Sequence, residues 1–299
     1  MIASRFDGGA LSSNSLCRAV KKRGLQECSI MNIGWIGLGQ IGTQMVKRLR
    51  RAGFAVTVHP RGRGRNDAES AGAAVTSDYR ALAETSDALF LCVYDQSQLE
   101  SVLFGEGALA AMRRDALLVV HTTASPAMLQ RIAEAADDAG VTLLDACFSG
   151  GPADVEAGEL TLMTGGSTEA LERARPALES YAAHIEHVGG IGSGQLTKLF
   201  NNLLFATNLM NAAEMLQMGQ AQGLSTDHLA AIIQRSSGGS YAMNLFARAG
   251  ALSPDAMLAD VRHYLEKDVA SAMSAAKQAG INITAFAKTA SYFARSTLD

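Results

Sequence analysis

Cysteine is scarce in this chain, and so is any surplus of charge. Four cysteines (Cys17, Cys28, Cys92, Cys147) are scattered through 299 residues without a CxxC pair. That spacing gives neither a zinc ribbon nor a disulfide framework, so a reducing cytoplasmic compartment is the expectation. Lys and Arg number 26 against 29 Asp and Glu, a formal net charge of −3. Nothing in that balance attracts nucleic acid or an anionic membrane, and neither is expected as a partner. His121, His184, His187 and His263 are dispersed and lack metal-ligand spacing, so no metal is expected. A bilayer-length apolar run is missing too. The stretch from Leu196 to Met218 comes nearest, but Lys198, Asn201, Asn202, Asn208, Asn211 and Glu214 interrupt it, and a spanning helix tolerates few such groups. It reads instead as a long helix buried in a globular protein. Repeats and low-complexity tracts are absent from the sequence.

What is present is apolar residue at 48% against 18% charged, enough for a substantial core in one large or two medium domains. Residues 1–30 differ from the rest, mixing Ser, Gly and basic residues without a period. They read as a disordered N-terminal extension; a targeting segment is disfavoured by Asp7, Glu27 and the lack of a long apolar stretch. Translation starting at Met31 is a further expectation, because Met31-Asn32-Ile33-Gly34 opens a strand directly. From there apolar strands alternate with helices. Strands are expected at 33–37, 55–58, 88–93, 117–120, 141–145, 160–164 and 184–188, with helices between them. This pattern predicts a mostly parallel sheet covered on both faces, a Rossmann-type doubly wound α/β unit. After Gly189 strand signals vanish, and helices are expected at 195–222, 226–235, 241–249, 256–279 and 284–296. The organisation is therefore a nucleotide-binding domain over 31–192 and an all-α domain over 193–299, joined by Gly189-Gly190-Ile191-Gly192-Ser193-Gly194.

The segment Gly37-Leu38-Gly39-Gln40-Ile41-Gly42 follows the first strand and opens a helix. There the peptide N–H groups and the helix dipole face an anion, so a dinucleotide pyrophosphate is the expected occupant rather than an ordinary βα turn. The second strand then selects the cofactor. An NAD site presents an Asp or Glu at its end. Here the run is Val58-His59-Pro60-Arg61-Gly62-Arg63-Gly64-Arg65-Asn66, with no acid before Asp67. Guanidinium groups suit a 2′-phosphate dianion, so NADP is expected over NAD, with Arg61 as its ligand. Trp35, in the first strand, reads as core.

Two further stretches carry chemistry. Lys198 and Asn202, spaced i and i+4, share one helix face. An amine and an amide converging on a cleft can hold and protonate a carbonyl oxygen, as hydride transfer requires. Ser149-Gly150-Gly151, closing a strand, offers a hydroxyl and backbone N–H groups to a carboxylate.

With these motifs in hand, the sequence resembles the β-hydroxyacid dehydrogenases, the family of 3-hydroxyisobutyrate dehydrogenase and tartronate semialdehyde reductase, from about Met31 to about Thr297. The family's GLGxMG is GLGQIG here. Its STxxP is Thr122-Thr123-Ala124-Ser125-Pro126, its DAPVSGGxxGAxxGxL is DACFSGGPADVEAGEL, its GxGxxxKxxNN is GSGQLTKLFNN, and its late Lys-Asp pair is Lys267-Asp268. The resemblance implies that Lys198 is the catalytic acid and base, that Asn202 and Thr123 address the substrate, and that Ser149, Gly150 and Gly151 hold its carboxylate. It places Leu38, Gln40, Ile41, His59, Pro60, Val93, Tyr94, Gln98, Thr123 and Lys267 beside the cofactor. It implies a homodimer or homotetramer, in keeping with the long apolar helix. Cys147-Phe148 in place of Pro-Val and Asp154-Val155 in place of Gly-Ala depart from the pattern, as does Tyr94 where Pro is common. Phe148 adds bulk and Asp154 a charge near the carboxylate turn. Rival readings are an imine reductase, which shares the architecture but commonly lacks the lysine, and a non-catalytic dinucleotide-binding protein. A decarboxylating sugar-phosphate dehydrogenase would need a longer helical part.

Overall fold

A computed structural model describes residues 31–60, 64–249 and 253–294. The expectations for residues 1–30 and for Arg61 lie outside the described residues. The chain opens with strand β1 (Asn32–Ile36), helix Gln40–Arg51 and strand β2 (Ala55–His59). The sheet continues with β3 (Ala74–Val75), β4 (Ala88–Leu91), β5 (Leu117–Val120), β6 (Thr142–Ser149), β7 (Leu160–Gly166) and β8 (Ala182–Gly189). These form one sheet in the order β3-β2-β1-β4-β5-β6-β7-β8. All neighbours are parallel except β6 and β7.

Strand residues alternate between two apolar layers, as a pleat buried on both faces requires. Ile33, Trp35, Phe90, Leu117 and Val119 point to the layer shared with Met45, Val46 and Leu49 of the first helix. Ile36, Leu89, Leu91, Leu118 and Val120 point to the other, with Leu129 and Ile132 of helix Pro126–Ala139. A third core, with Leu203, Leu209, Phe246, Leu265 and Phe293, belongs to the helical half.

Strand β6 runs four residues beyond its expected end at Asp145, because it pairs with β5 on one side and, antiparallel, with β7 on the other, out to Ser149↔Thr161. The short helix Pro152–Ala157 was not foreseen; Pro at its first turn and Asp154 as the partner of the Gly151 N–H start it. In the helical half, Ser193–Ala221, Thr226–Gln234, Tyr241–Ala249 and Pro254–Gln278 match the expected helices closely. The last one divides into a 3₁₀ turn, Thr284–Phe286, and helix Ala287–Ala294. The 29-residue helix Ser193–Ala221 links the halves: it packs on β6, β7 and β8 and then on Pro254–Gln278. Among the described residues no helix is long and apolar enough to cross a membrane.

Strand order reverses at β1, whose neighbours are β2 and β4. In such sheets the carboxyl ends of the strands beside the reversal open a crevice. Because β1, β4, β5 and β6 are parallel, their ends deliver Gly37, Cys92, His121 and Ser149 to one edge of the sheet.

Candidate active site

The glycine turn after β1 fits a pyrophosphate by geometry. Gly37 has φ +109°, and a Cβ there would stand 2.1 Å from the Cys92 carbonyl oxygen. At Gly42 a Cβ would stand 2.0 Å from the Gly37 oxygen, whereas at Gly39 nothing lies within 4 Å. Two glycines thus press the turn against β4 and the helix, and the middle one leaves open space at the N-terminus of helix Gln40–Arg51. No side chain caps that helix, so its first N–H groups suit an anion. Gln40 is exposed, while Leu38 is buried and Ile41 packs on the core beneath. The Trp35 indole donates to the Gly37 oxygen at 2.9 Å. At the end of β2 the buried His59 ring stacks on Tyr79 at 3.6 Å and bonds the Ser77 carbonyl oxygen through Nε2; Pro60 follows, half-buried.

A cavity of about 120 Å³ lies where the strand ends meet the helical half. Cys92, Val93 and Tyr94 from the end of β4, His121, Thr122 and Thr123 from the end of β5, and Phe148 from β6 form one side. Lys198 and Lys267 from two helices close it. A larger hollow of about 240 Å³, at Met31, Asp87, Ala88, Leu117 and Arg173, sits at the opposite end of the strands. Its Asp87 is already tied to Asn32 N–H and to Arg113.

Lys198 is half-buried. Burial pulls its ammonium below the usual lysine range; Cys147 and the Asp268 carboxylate oppose that fall, and Lys267 adds to it. Lys267 donates from Nζ to the Tyr94 carbonyl oxygen at 2.9 Å and sits 5.5 Å from that ring's centre. Tyr94 itself is exposed; the Gln98 side chain accepts from its N–H at 3.3 Å. The Val93 N–H is held by Thr122 Oγ1 at 2.9 Å, which leaves Thr123 as the threonine of the pair whose hydroxyl meets the Cys147 thiol.

Asn202, one turn beyond Lys198, is buried and donates to Asp268 at 2.6 Å. Burial raises the Asp268 carboxyl, while Lys267, the Asn202 bond and Lys198 act to lower it. Ser149, Gly150 and Gly151 follow Phe148 beyond the cavity wall. The Gly151 N–H donates to Asp154 Oδ2 at 2.6 Å, so in this chain one donor of the expected carboxylate turn already has a carboxylate partner.

The roles of three residues escaped the sequence reading. Buried Asp145 accepts from Gly192 N–H at 2.7 Å and Gln195 N–H at 2.9 Å, and burial still pushes its carboxyl up to about 6. Buried Gln195 donates to the Thr122 oxygen at 2.8 Å and accepts from Ala124 N–H at 3.0 Å. His121, between Trp35, Phe90 and Phe148, donates from Nδ1 to the Ala146 oxygen and accepts at Nε2 from the Tyr181 hydroxyl at 3.0 Å. Burial lowers its pKa to about 4. Each partner lies 25 or more positions away in sequence, so no local pattern announces it. Among the described residues no cluster of His, Cys, Asp and Glu could hold a metal.

Known proteins share this fold. Residues 32–189 match the NAD-binding domain of 6-phosphogluconate dehydrogenase, and residues 192–297 match the NAD-binding family of NADP-dependent 3-hydroxyisobutyrate dehydrogenase. The NAD-dependent L-serine dehydrogenase of Pseudomonas aeruginosa is 36% identical over 72% of each chain. A 3-hydroxyisobutyrate dehydrogenase from Mycobacterium tuberculosis, solved with L-serine, superposes with a TM-score of 0.79 at 26% identity, covering 90% of this chain and 94% of that one. An imine reductase from a Pseudomonas species reaches a TM-score of 0.62 at 16% identity, covering 90% and 94%; that likeness is one of architecture.

Proposed function

Because the chain belongs to the β-hydroxyacid dehydrogenase family, we propose that it interconverts a small β-hydroxy acid and its semialdehyde or keto acid, with NADP as cofactor and Lys198 as general acid and base. The family's members are NAD(P)-dependent oxidoreductases acting on CH–OH groups. The observation that carries the finer reading is the half-buried Lys198 amine in the wall of the cavity at the strand ends.

The turn at Gly37, Gly39 and Gly42 would hold the pyrophosphate, and Arg61, with His59 and Pro60, the adenosine 2′-phosphate. Val93, Tyr94, Gln98, Thr123 and Lys267 would border the nicotinamide. When bound, the nicotinamide supplies the hydride acceptor or donor. The protein's own part is proton transfer and orientation. In oxidation the Lys198 amine takes the substrate's hydroxyl proton; a lysine with a lowered pKa presents more of that amine at neutral pH. In reduction its ammonium donates the proton to the carbonyl oxygen. Lys267, docked on the Tyr94 carbonyl oxygen, ties the helical half to the end of β4 at the cavity wall. Thr123 and Asn202 would address the substrate, Asn202 with its amide oriented by Asp268. The Ser149 hydroxyl and the Gly150 and Gly151 backbone would receive the carboxylate, less the Gly151 N–H already given to Asp154.

We assign 31–192 to the cofactor and 193–299 to substrate and self-association. The long helix supports a homodimer or homotetramer: Phe200, Leu204, Met215 and Met218 lie 42–56% exposed along one side of it, a stripe that a second copy would cover. We place the enzyme in the cytoplasm, in keeping with free Cys92 and Cys147. The deciding experiment is a panel of β-hydroxy acids, including 3-hydroxyisobutyrate and L-serine, and their semialdehydes, assayed with NADP(H) and NAD(H). Turnover of a β-hydroxy acid with better kcat/KM for NADP is expected. A clear preference for NAD would refute the cofactor assignment, and turnover of cyclic imines alone would refute the reaction. Light scattering at micromolar protein should give a dimer or larger; a monomer would refute the assembly.

A further inference from the structure

Lys198 sits on a flexible stem, so its amine is only as well placed as the helix turn that carries it. That turn is fastened at two points. At the first, Asp145 of β6 accepts the N–H groups of Gly192, Gly194 and Gln195. The contact leaves no room for side chains: a Cβ on Gly194 would stand 2.5 Å from Asp145 Oδ2, and one on Gly165 2.6 Å from Oδ1. At the second, Gln195 spends both ends of its amide on one turn of chain, donating to the Thr122 oxygen at 2.8 Å and accepting from Ala124 N–H at 3.0 Å. Those two bonds straddle Thr123, which lines the cavity together with Lys198. Gln195 and Lys198 are i and i+3 on the same helix, and therefore neighbours on one face. Gln195 is 1% exposed, so its amide has no competing water.

We propose that Gln195, seated by Asp145, is a positioning residue that locks the start of the long helix to the Thr122–Ala124 turn and so sets Lys198 against Thr123. The proposal rests on the reading of Lys198 as acid and base. Its energetic sense is that of preorganisation. A misplacement of about 1 Å at a reacting group costs on the order of 100-fold in rate, and this buried amide is one of the two fastenings of the turn that carries the lysine. Removing it also strands a buried N–H and a buried carbonyl oxygen without partners.

The test uses full-length protein with Gln195→Met, which keeps length and loses both bonds, Gln195→Glu, and Lys198→Ala as the reference. Three quantities are read: kcat and KM for the substrate found above, the NADP dissociation constant by calorimetry, and the pH dependence of kcat. Gln195→Met is expected to lower kcat by about 100-fold, to leave NADP affinity within about twofold because the glycine turn is not touched, and to move the limb that Lys198 controls. Gln195→Glu, assayed in the direction of reduction where Lys198 acts as its ammonium, is expected to recover rate as pH falls, since the protonated acid again donates to the Thr122 oxygen while accepting from Ala124 N–H. Unchanged kcat per folded enzyme with an unchanged pH profile, accompanied only by easier melting, overturns the proposal and leaves Gln195 a structural residue. If Gln195→Met does not fold, Gln195→Glu decides alone: rate recovered at low pH supports the proposal, and native kcat at every pH overturns it. Substantial turnover by Lys198→Ala is a different failure, that of the acid–base reading itself.

Discussion

The two ends of the cleft are built in different ways. At Gly37–Gly42 the shape is drawn by backbone: side chains are excluded at two positions and missing at the third, and the groups offered to an anion are the uncapped first N–H groups of a helix. At Lys198 everything is side chain: an amine moved off its usual pKa by burial and neighbouring charge, an amide held by a carboxylate, and a second lysine docked on a carbonyl oxygen. The first end fails when atoms are added, the second when charge or hydrogen bonds are taken away. One end is a local feature of a βα turn. The other exists only once a helix from the far half of the chain is laid on the strand ends.

That contrast can be broken by substitutions, beginning with the largest effect. Lys198→Ala should cut kcat about 1000-fold, the scale of a positioned acid–base group, with NADP affinity by calorimetry unchanged; an equal loss of affinity would erase the distinction between the ends. His121 lies beneath both ends and tests their common floor. Its folded pKa near 4 is below the ordinary 6.5, so the unfolded chain takes up a proton first. Stability is intact above pH 6.5 and falls as pH drops toward 4, by about 3 kcal/mol in all. Asp145, raised to about 6 from 3.8, acts in the opposite sense between those values, but it is common to both proteins and cancels in the comparison. Urea unfolding at pH 7 and 4.5 should therefore show a shallower acid loss in His121→Gln than in the native protein; parallel losses would contradict a buried neutral imidazole.

Gly37→Ala should strain the turn by about 2 kcal/mol or more, weakening NADP binding and leaving the kcat of the saturated enzyme nearly native. A fall in kcat at saturation would mean that the two ends are not separable. The smallest effect is a pair of opposite shifts. Asp268 raises the Lys198 pKa and Lys267 lowers it. Asp268→Asn should thus move the acid limb of the oxidation profile to lower pH, and Lys267→Met to higher pH. Shifts of the same sign would contradict the assigned action of one of the two charges, and no shift from either would show that neither acts on Lys198.

The difference in construction also explains what could be read from sequence. The βα glycine turn at Gly37-Leu38-Gly39-Gln40-Ile41-Gly42 was legible as a turn because six consecutive residues carry the whole signal. Strand and helix periods placed most elements within a few residues, since each strand is buried on both faces and each long helix on one. Lys198 and Asn202 were legible as a shared face, but not the partner of the Asn202 amide, which lies 66 positions on at Asp268. Asp145 and Gln195 bridge 47 to 73 positions, and only the packed sheet brings those ends together. The length of β6 was misjudged because the gain comes from an antiparallel neighbour rather than from the strand's own composition. Asp154 departs visibly from the family pattern, while its bond to Gly151 N–H exists only in the folded loop.

Trp35 is the chain's single tryptophan. Its buried indole is stacked on Phe90 at 5.5 Å and bonded to the Gly37 oxygen of the glycine turn after β1. Indole emission, selectively excited, therefore comes from one place, and that place is the back of the proposed cofactor loop. The molecule carries its own optical gauge, needing no label: quenching, or energy passed to a reduced nicotinamide, would follow dinucleotide arriving at that turn in real time.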